Sequence, residues 1–215
     1  LCRTGQPAAA LLYGVTGSGK TQVYLRLIQE TLKRGKTALF LVPEIALTPQ
    51  LLRIFAAHFG DKVAVLHSSL RAGERYDEWK RIRRGEAPVV IGTRSAVFAP
   101  LSNLGLVILD EEQEASYKSE NNPRYHAREV AKYRCVQENA LLLLGSATPS
   151  VESMYSAQRG AYRRFTLPQR YNQRALPAVH IVDMKEELRS GNGSSISGAL
   201  SREIQENLVR GEQAI

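Results

Sequence analysis

An α/β fold, built as three layers around a mostly parallel sheet, is predicted by two features. Short, nearly all-apolar runs alternate with stretches of helical apolar spacing, and a glycine-rich loop joins the first run to the first helix. Parallel strands covered on both faces read as continuous apolar runs, and each crossover needs a connecting helix. The candidate strands are Leu11–Tyr13, Thr37–Val42, Val63–Leu66, Val89–Gly92, Leu106–Leu109 and Leu141–Leu144. The helices between them have readable ends. Val23, Leu27, Ile28 and Leu32 carry the apolar face of the first. In the second, Thr48 is placed to cap, Pro49 suits the first turn, Leu51, Leu52, Phe55 and Phe59 form the apolar face, and Gly60 ends it. A third runs from about Ala72 to Arg84, with Arg81, Arg83 and Arg84 at its negative pole. Further helices span about Ala127–Glu138 and Val151–Arg159, the last closed by Gly160. No internal repeat is found.

The glycine-rich loop reads GVTGSGKT and fits G-x-x-x-x-G-K-[ST] at every fixed position. It follows the apolar run Ala8–Tyr13 and precedes a helix, which separates it from an ordinary turn with a surface lysine. Gly14, Val15, Thr16, Gly17, Ser18, Gly19, Lys20 and Thr21 are therefore expected to cradle the phosphates of a nucleoside triphosphate. The glycines let successive N–H groups face inward, and the helix N-terminus adds positive potential. Lys20 is expected at the β- and γ-phosphates, and Thr21 at a Mg2+ ion.

Composition narrows the partners. In 215 residues, 29 Lys and Arg oppose 21 Asp and Glu, a formal charge of +8 that favours a polyanion such as nucleic acid. Hydrophobic residues make up 43% and charged residues 23%, which suits an ordinary globular protein. Cys2 and Cys135 stand far apart with no Cys or His at ligand spacing, so neither a zinc site nor a disulfide framework is expected in this chain. That usage suits a reducing cytosol. No apolar stretch approaches the roughly 18 residues of a membrane span, and the start carries no signal-peptide pattern. No membrane association is expected.

A triphosphate site needs a metal-side partner. The apolar run Leu104–Leu109 ends in Asp110, Glu111 and Glu112. Asp110 is expected to hold Mg2+, and Glu111 to orient and polarise the attacking water. Carboxylates at the end of a buried strand are costly without a cation nearby. After the next strand come Ser146 and Thr148, either as turn residues or as hydroxyls that sense the γ-phosphate.

The segments GVTGSGKT, VPEIALTPQ (Val42–Gln50), IGTRSAVF (Ile91–Phe98), LDEEQ (Leu109–Gln113) and GSATPS (Gly145–Ser150) resemble motifs I, Ia, Ib, II and III of the superfamily 2 helicases. Among these they are most similar to the bacterial replication-restart helicases, over about Leu11 to Ile215. The resemblance implies a P-loop, RecA-like lobe of a 3′→5′ ATP-driven DNA helicase that acts at stalled or branched forks. It implies ATP and Mg2+ as cofactors, with zinc in the full-length parent but not in this chain. Implied partners are single-stranded and forked DNA, primosome components and single-strand-binding proteins, in the bacterial cytoplasm at the nucleoid. Positions matching the DNA-backbone motifs are Pro43, Glu44, Thr48, Pro49 and Gln50, then Thr93, Arg94 and Ser95. For Thr48 and Pro49, helix capping alone is an equal reading.

The segment Tyr117–Arg128 resembles the family's aromatic-rich loop, which links DNA occupancy to hydrolysis. Tyr117, Tyr125 and His126 are expected to stack on bases, and Lys118, Arg124 and Arg128 to hold phosphates. The alternative is that these aromatic residues pack on the domain. Gln113 stands where the family usually has His, and reads as a coupling residue rather than a general base.

After Tyr162 the character changes. Leu167–Pro177 reads as a linker, Ala178–Asp183 as a strand, Gly191–Gly198 as a flexible loop, Leu200–Val209 as a helix, and Gln213–Ile215 as the opening of another strand. The expected domains are a first helicase lobe over residues 1–165, a linker over 166–177, and the truncated start of a second lobe over 178–215. An adenine-recognition segment is expected before Leu1, and the zinc ligands with motifs V and VI after Ile215. Two other function classes remain: a different superfamily 2 translocase or nucleotide-switch ATPase, and a non-catalytic DNA-binding module.

Overall fold

The computed structural model describes residues 8–170 and 178–214, which fall into two compact units. The first unit begins with strand β1 (Ala8–Gly14) and helix α1 (Lys20–Lys33). It continues through β2 (Thr37–Leu41), α2 (Pro49–Phe59), β3 (Val63–Leu66), α3 (Ala72–Arg83) and β4 (Val89–Gly92). Strand β5 (Leu104–Asp110), α4 (Ala127–Gln137), β6 (Leu141–Ser146), α5 (Val151–Gln158) and β7 (Arg163–Leu167) complete it. The strands form one sheet in the order β3-β4-β2-β5-β6-β1-β7, every pair parallel.

The all-apolar strands are explained by their two buried faces. On one face Leu12, Phe40, Ile108 and Leu143 meet Tyr24, Leu25 and Ile28 of α1 and Phe55 and Phe59 of α2. Phe40 lies between Tyr24 and a stacked Phe55, at ring separations of 5.5 and 5.0 Å. On the other face Leu39, Leu41, Val107, Leu109, Leu142 and Leu144 meet Ile82 of α3 and Ala131 and Cys135 of α4. Burial pushes the Cys135 thiol up to about 12, so it behaves as a small apolar residue.

Register sets the site. Strand β6 lies between β1 and β5, with Tyr13 beside Ser146 and Gly145 beside Asp110. The loops leaving β1, β5 and β6 therefore share one edge of the sheet, where α/β proteins bind ligands.

Strand β7 and two stretches of the second unit depart from expectation. Strand β7 was not foreseen in the run RRFTL, because it is an edge strand, paired only to β1 and largely exposed. Its last residues, Thr166 and Leu167, fall where a linker was expected. In the second unit, residues 178–183 carry no strand. Asp183 instead caps helix α6 (Met184–Arg189), accepting the Lys185 amide at 2.8 Å. Apolar alternation at Val179, Ile181 and Val182 is the pattern of a strand, but ladder partners decide whether one forms. The expected loop is held by Glu187, which accepts from Asn192 Nδ2 and the Gly198 amide at 2.6 and 2.8 Å. Helix α7 (Gly198–Val209) follows, capped by Ser197. Gln213 and Ala214 form no strand; Ile215 and linker residues 171–177 lie outside the described residues. Among the described residues, no helix is long and apolar enough to cross a membrane.

Close packing at Gly92 yields a test of this register. A Cβ there would overlap the Leu66 carbonyl oxygen of β3 and crowd Ala96. Gly92→Ala is expected to destabilise the protein by about 1–3 kcal/mol in chemical denaturation, the usual range for overpacking. Unchanged stability would contradict the β3–β4 register.

Candidate nucleotide-binding site

Gly14 ends β1 and the chain turns sharply through residues 15–19. Gly17 and Gly19 take left-handed conformations (φ 78° and 89°) that side chains resist. Gly14 is needed for a different reason: a Cβ there would lie 2.6 Å from Ser18 Oγ. Helix α1 starts at Lys20 without a side-chain cap, which leaves its N-terminus available to an anion. Ser18 Oγ is buried with no hydrogen-bond partner in the protein. An uncapped helix and an orphaned hydroxyl in one loop fit a phosphate, which would satisfy both.

Lys20 lies across this loop, only 9% exposed. Its ammonium donates to the Gly14 carbonyl at 2.8 Å and sits 3.8 Å from Glu111 Oε1. The lysine loop and the acidic strand end thus face each other over a cleft of about 880 Å3. Residues 16–22, Gln50, Asp110 and Glu111 line it.

Asp110 closes β5 and accepts from the Tyr24 hydroxyl at 2.8 Å. Burial raises its pKa above the ordinary carboxylate range; the Tyr24 hydrogen bond opposes the rise, and the neighbouring Glu111 adds to it. Burial also pushes the phenols of Tyr24 and Tyr117 up, reinforced by Asp110, so both stay hydrogen-bond donors. A carboxyl whose charge is disfavoured in this way fits a site that gains a divalent cation with its substrate. Among the described residues no three His, Cys, Asp or Glu side chains converge as metal ligands. One carboxylate, the Thr21 hydroxyl and substrate oxygens would then hold the ion, the usual manner of Mg2+.

Glu111 adopts a left-handed backbone (φ 45°), rare for a non-glycine residue. Its Oε2 accepts from Gln113 Nε2 at 3.1 Å, and Gln113 Oε1 accepts from Ser146 Oγ at 2.6 Å. Ser146 Oγ in turn accepts the Thr148 amide at 2.8 Å. The amide of Gln113 donates and accepts at once, and so bridges the β5 and β6 loops. Gln113, Ser146 and Thr148 are brought together as a coupling chain would require. Thr148 itself is exposed.

The segment after Glu114 is organised differently from the expectation. Tyr117 is fully buried, and its hydroxyl donates to the Asp110 carbonyl at 2.7 Å. Its ring is core, so the expected base-stacking face at Tyr117 is corrected. Tyr125 packs edge-on against Phe98 at 4.9 Å, and His126 caps α4. Burial, then the nearby Arg128 charge, holds the His126 imidazole below its ordinary pKa, which favours an unprotonated Nδ1 accepting the Arg128 amide. Arg128 donates to Glu112, Ser150 and Ser153, turning inward rather than to solvent. Arg94 donates to the carbonyls of Ser116 and Lys118 at 3.1 and 2.7 Å, so it clasps this segment. Lys118 and Arg124 are exposed. Thr48 caps α2 with Pro49 in its first turn, while Gln50 reaches the nucleotide cleft.

Tyr24 and Glu112 escaped the sequence reading. Tyr24 lies one helical turn after Lys20, on the same face, and that spacing was the available signal. Glu112 was masked by its two acidic neighbours.

Residues 4–156 match the DEAD/DEAH box helicase family. The chain is similar to "Replication restart protein PriA" of Bacillus subtilis, at 53% identity over 95% of this chain and 26% of that protein. The corresponding protein of Synechocystis is 51% identical over 95% of this chain and 25% of its own length. The chain thus spans about a quarter of the length of these relatives. Among solved structures it is similar to RecG bound to a three-way DNA junction, with TM-score 0.61 and 25% identity over 95% of this chain and 25% of that one. The Pyrococcus furiosus Hef helicase domain shares the fold at TM-score 0.56 and 16% identity, covering 98% of this chain and 52% of that one.

Lys20 supplies the direct test of the cleft. Mg-nucleotide at a hundred times its Kd should stabilise the wild type by about 2.7 kcal/mol, seen as a rise in Tm. Lys20→Ala is expected to lose most of that rise while its ligand-free Tm changes little. A full rise in the variant would contradict the assignment.

Proposed function

Since the chain belongs to the DEAD/DEAH box helicase family, with the PriA replication restart proteins as relatives, we propose that it is the nucleotide-binding lobe of an ATP-driven DNA helicase. The parent enzyme translocates 3′→5′, acts at stalled or branched forks, and serves replication restart and primosome assembly. The observation that carries this reading is the approach of Lys20 to Glu111, at 3.8 Å, across a cleft walled by the glycine loop.

In this reading the loop amides, Ser18 and Lys20 bind the phosphates of ATP, and Thr21 and Asp110 hold Mg2+. The ion supplies charge neutralisation at the β- and γ-oxygens. Glu111 orients the attacking water and takes its proton on a carboxylate oxygen, with Gln113 fixing the other oxygen. The chain from Glu111 through Gln113 and Ser146 to Thr148 carries the state of the cleft to the β6 loop. DNA lies along the same sheet edge, with the exposed Lys118 and Arg124, Ser95, and Arg94 as phosphate contacts and Tyr125 and His126 beside the strand. Residues 178–214 open the second lobe; single-strand-binding and primosome proteins are partners of the whole enzyme, whose zinc lies outside this chain. The enzyme works in the cytoplasm at the nucleoid. The likeness to RecG, solved bound to a three-way DNA junction, favours as a second reading another superfamily 2 DNA translocase.

Glu111→Gln in the full-length enzyme is expected to keep Mg-ATP binding and lose DNA-stimulated hydrolysis and fork unwinding. Retained hydrolysis would contradict the role of Glu111. The isolated 215-residue chain should hydrolyse ATP about 10³–10⁵-fold more slowly than the parent, the factor that an arginine finger contributes, because the family resemblance puts such a residue in motif VI of the second lobe. DNA-stimulated turnover at the parent rate would contradict the two-lobe reading.

A further inference from the structure

The third acid of the β5 terminus, Glu112, is almost completely buried, at 1% exposure. Its carboxylate accepts four hydrogen bonds: from the Ser150 amide at 2.8 Å, Ser150 Oγ at 3.1 Å, Ser153 Oγ at 2.9 Å and Arg128 Nη1 at 2.9 Å. Burial works against the Arg128 charge, but Glu112 outweighs it and holds the guanidinium pKa above its ordinary value. The Glu112 amide also donates to the Gly145 carbonyl at 3.1 Å. One residue thus joins the end of β5, the end of β6, the first turn of α5 and the start of α4.

The neighbouring Glu111 holds a left-handed backbone, which persists only where its surroundings enforce it. On its N-terminal side the enforcement comes from Asp110, pinned by Tyr24 and Tyr117. On its C-terminal side it comes from Glu112. We propose that Glu112, paired with Arg128, is a positioning residue for the hydrolytic carboxylate: it locks the turn that aims Glu111 at the cleft. Glu112 is buried and is not among the residues that line the cleft. Arg128 stands in the first turn of α4, just after His126 and the exposed residues 120–124, so the same pair ties that segment to the turn. The inference rests on the reading of Glu111 as the group that activates water.

Glu112→Gln and Arg128→Lys in the full-length enzyme provide the test, with Glu111→Gln as control. Glu112→Gln is expected to lower kcat for ATP by about 10- to 100-fold, the scale for a catalytic group displaced by about an ångström. KM for ATP and Mg-ADP affinity by calorimetry should stay within about twofold of wild type, the signature of a lost transition-state interaction. Amide exchange of the nucleotide-free protein should speed up at residues 111–114 and not across the sheet. A kcat within about twofold of wild type, or a parallel loss of Mg-ADP affinity with faster exchange throughout the lobe, would overturn the proposal. Should Glu112→Gln melt below the assay temperature, Arg128→Lys carries the same readouts, because it keeps the charge but removes the guanidinium Nη1 that contacts Glu112, Ser150 and Ser153. If Glu111→Gln hydrolyses ATP like the wild type, the reading of Glu111 fails; if only the Glu112 and Arg128 variants do, this inference alone fails.

Discussion

The parallel register that places β6 between β1 and β5 is the constraint on which the site depends. It sets Tyr13 beside Ser146 and Gly145 beside Asp110. A one-residue slip in either pairing would reverse which side chains face which layer. Packing forbids the slip, because Leu11, Leu142, Leu144, Val107 and Leu109 bury one face while Leu12, Leu143 and Ile108 bury the other. Gly145 adds a local check: any side chain there would collide with the Tyr24 hydroxyl that holds Asp110. Core packing and site geometry are fixed by the same residues.

Around that register the acidic turn is held from several directions. Asp110 is secured through its carboxylate by Tyr24 and through its carbonyl by Tyr117. Glu112 is secured by Arg128 and two serines, and Gln113 by Ser146. Glu111, between them, is left with the strained backbone and the carboxylate that faces Lys20. Buried polar networks of this kind are costly when incomplete and rigid when satisfied. Here the satisfied groups surround the carboxylate proposed to activate water.

Much of the fold was legible in the sequence because the central strands are apolar on both faces and helix α2 carries its Thr48 cap and first-turn Pro49. The exceptions have physical causes. RRFTL makes β7 through backbone pairing at an exposed edge, where side chains give no apolar signal. Residues 178–183 show alternation without a strand, and their acidic end caps a helix instead. The juxtaposition of Lys20, Asp110, Glu111, Gln113 and Ser146 at one sheet edge was legible because each stands at a fixed spacing from a strand end. Tyr117 and Arg128 were read as groups for nucleic acid, since an aromatic or an arginine in a polar loop looks the same whether it turns out or in. Only the Asp110 carbonyl and the Glu112 carboxylate, brought close by the fold, decide that both turn inward.

If the lysine loop and the β5 acids enclose one metal-chelated triphosphate, Mg2+ must strengthen ATP binding through Asp110. Calorimetric titration of ATP in Mg2+ and in EDTA, for wild type and Asp110→Asn, tests it most directly. Mg2+ should tighten binding to the wild type, while the variant keeps the metal-free affinity and loses the tightening. An unchanged Mg2+ effect in Asp110→Asn would contradict it.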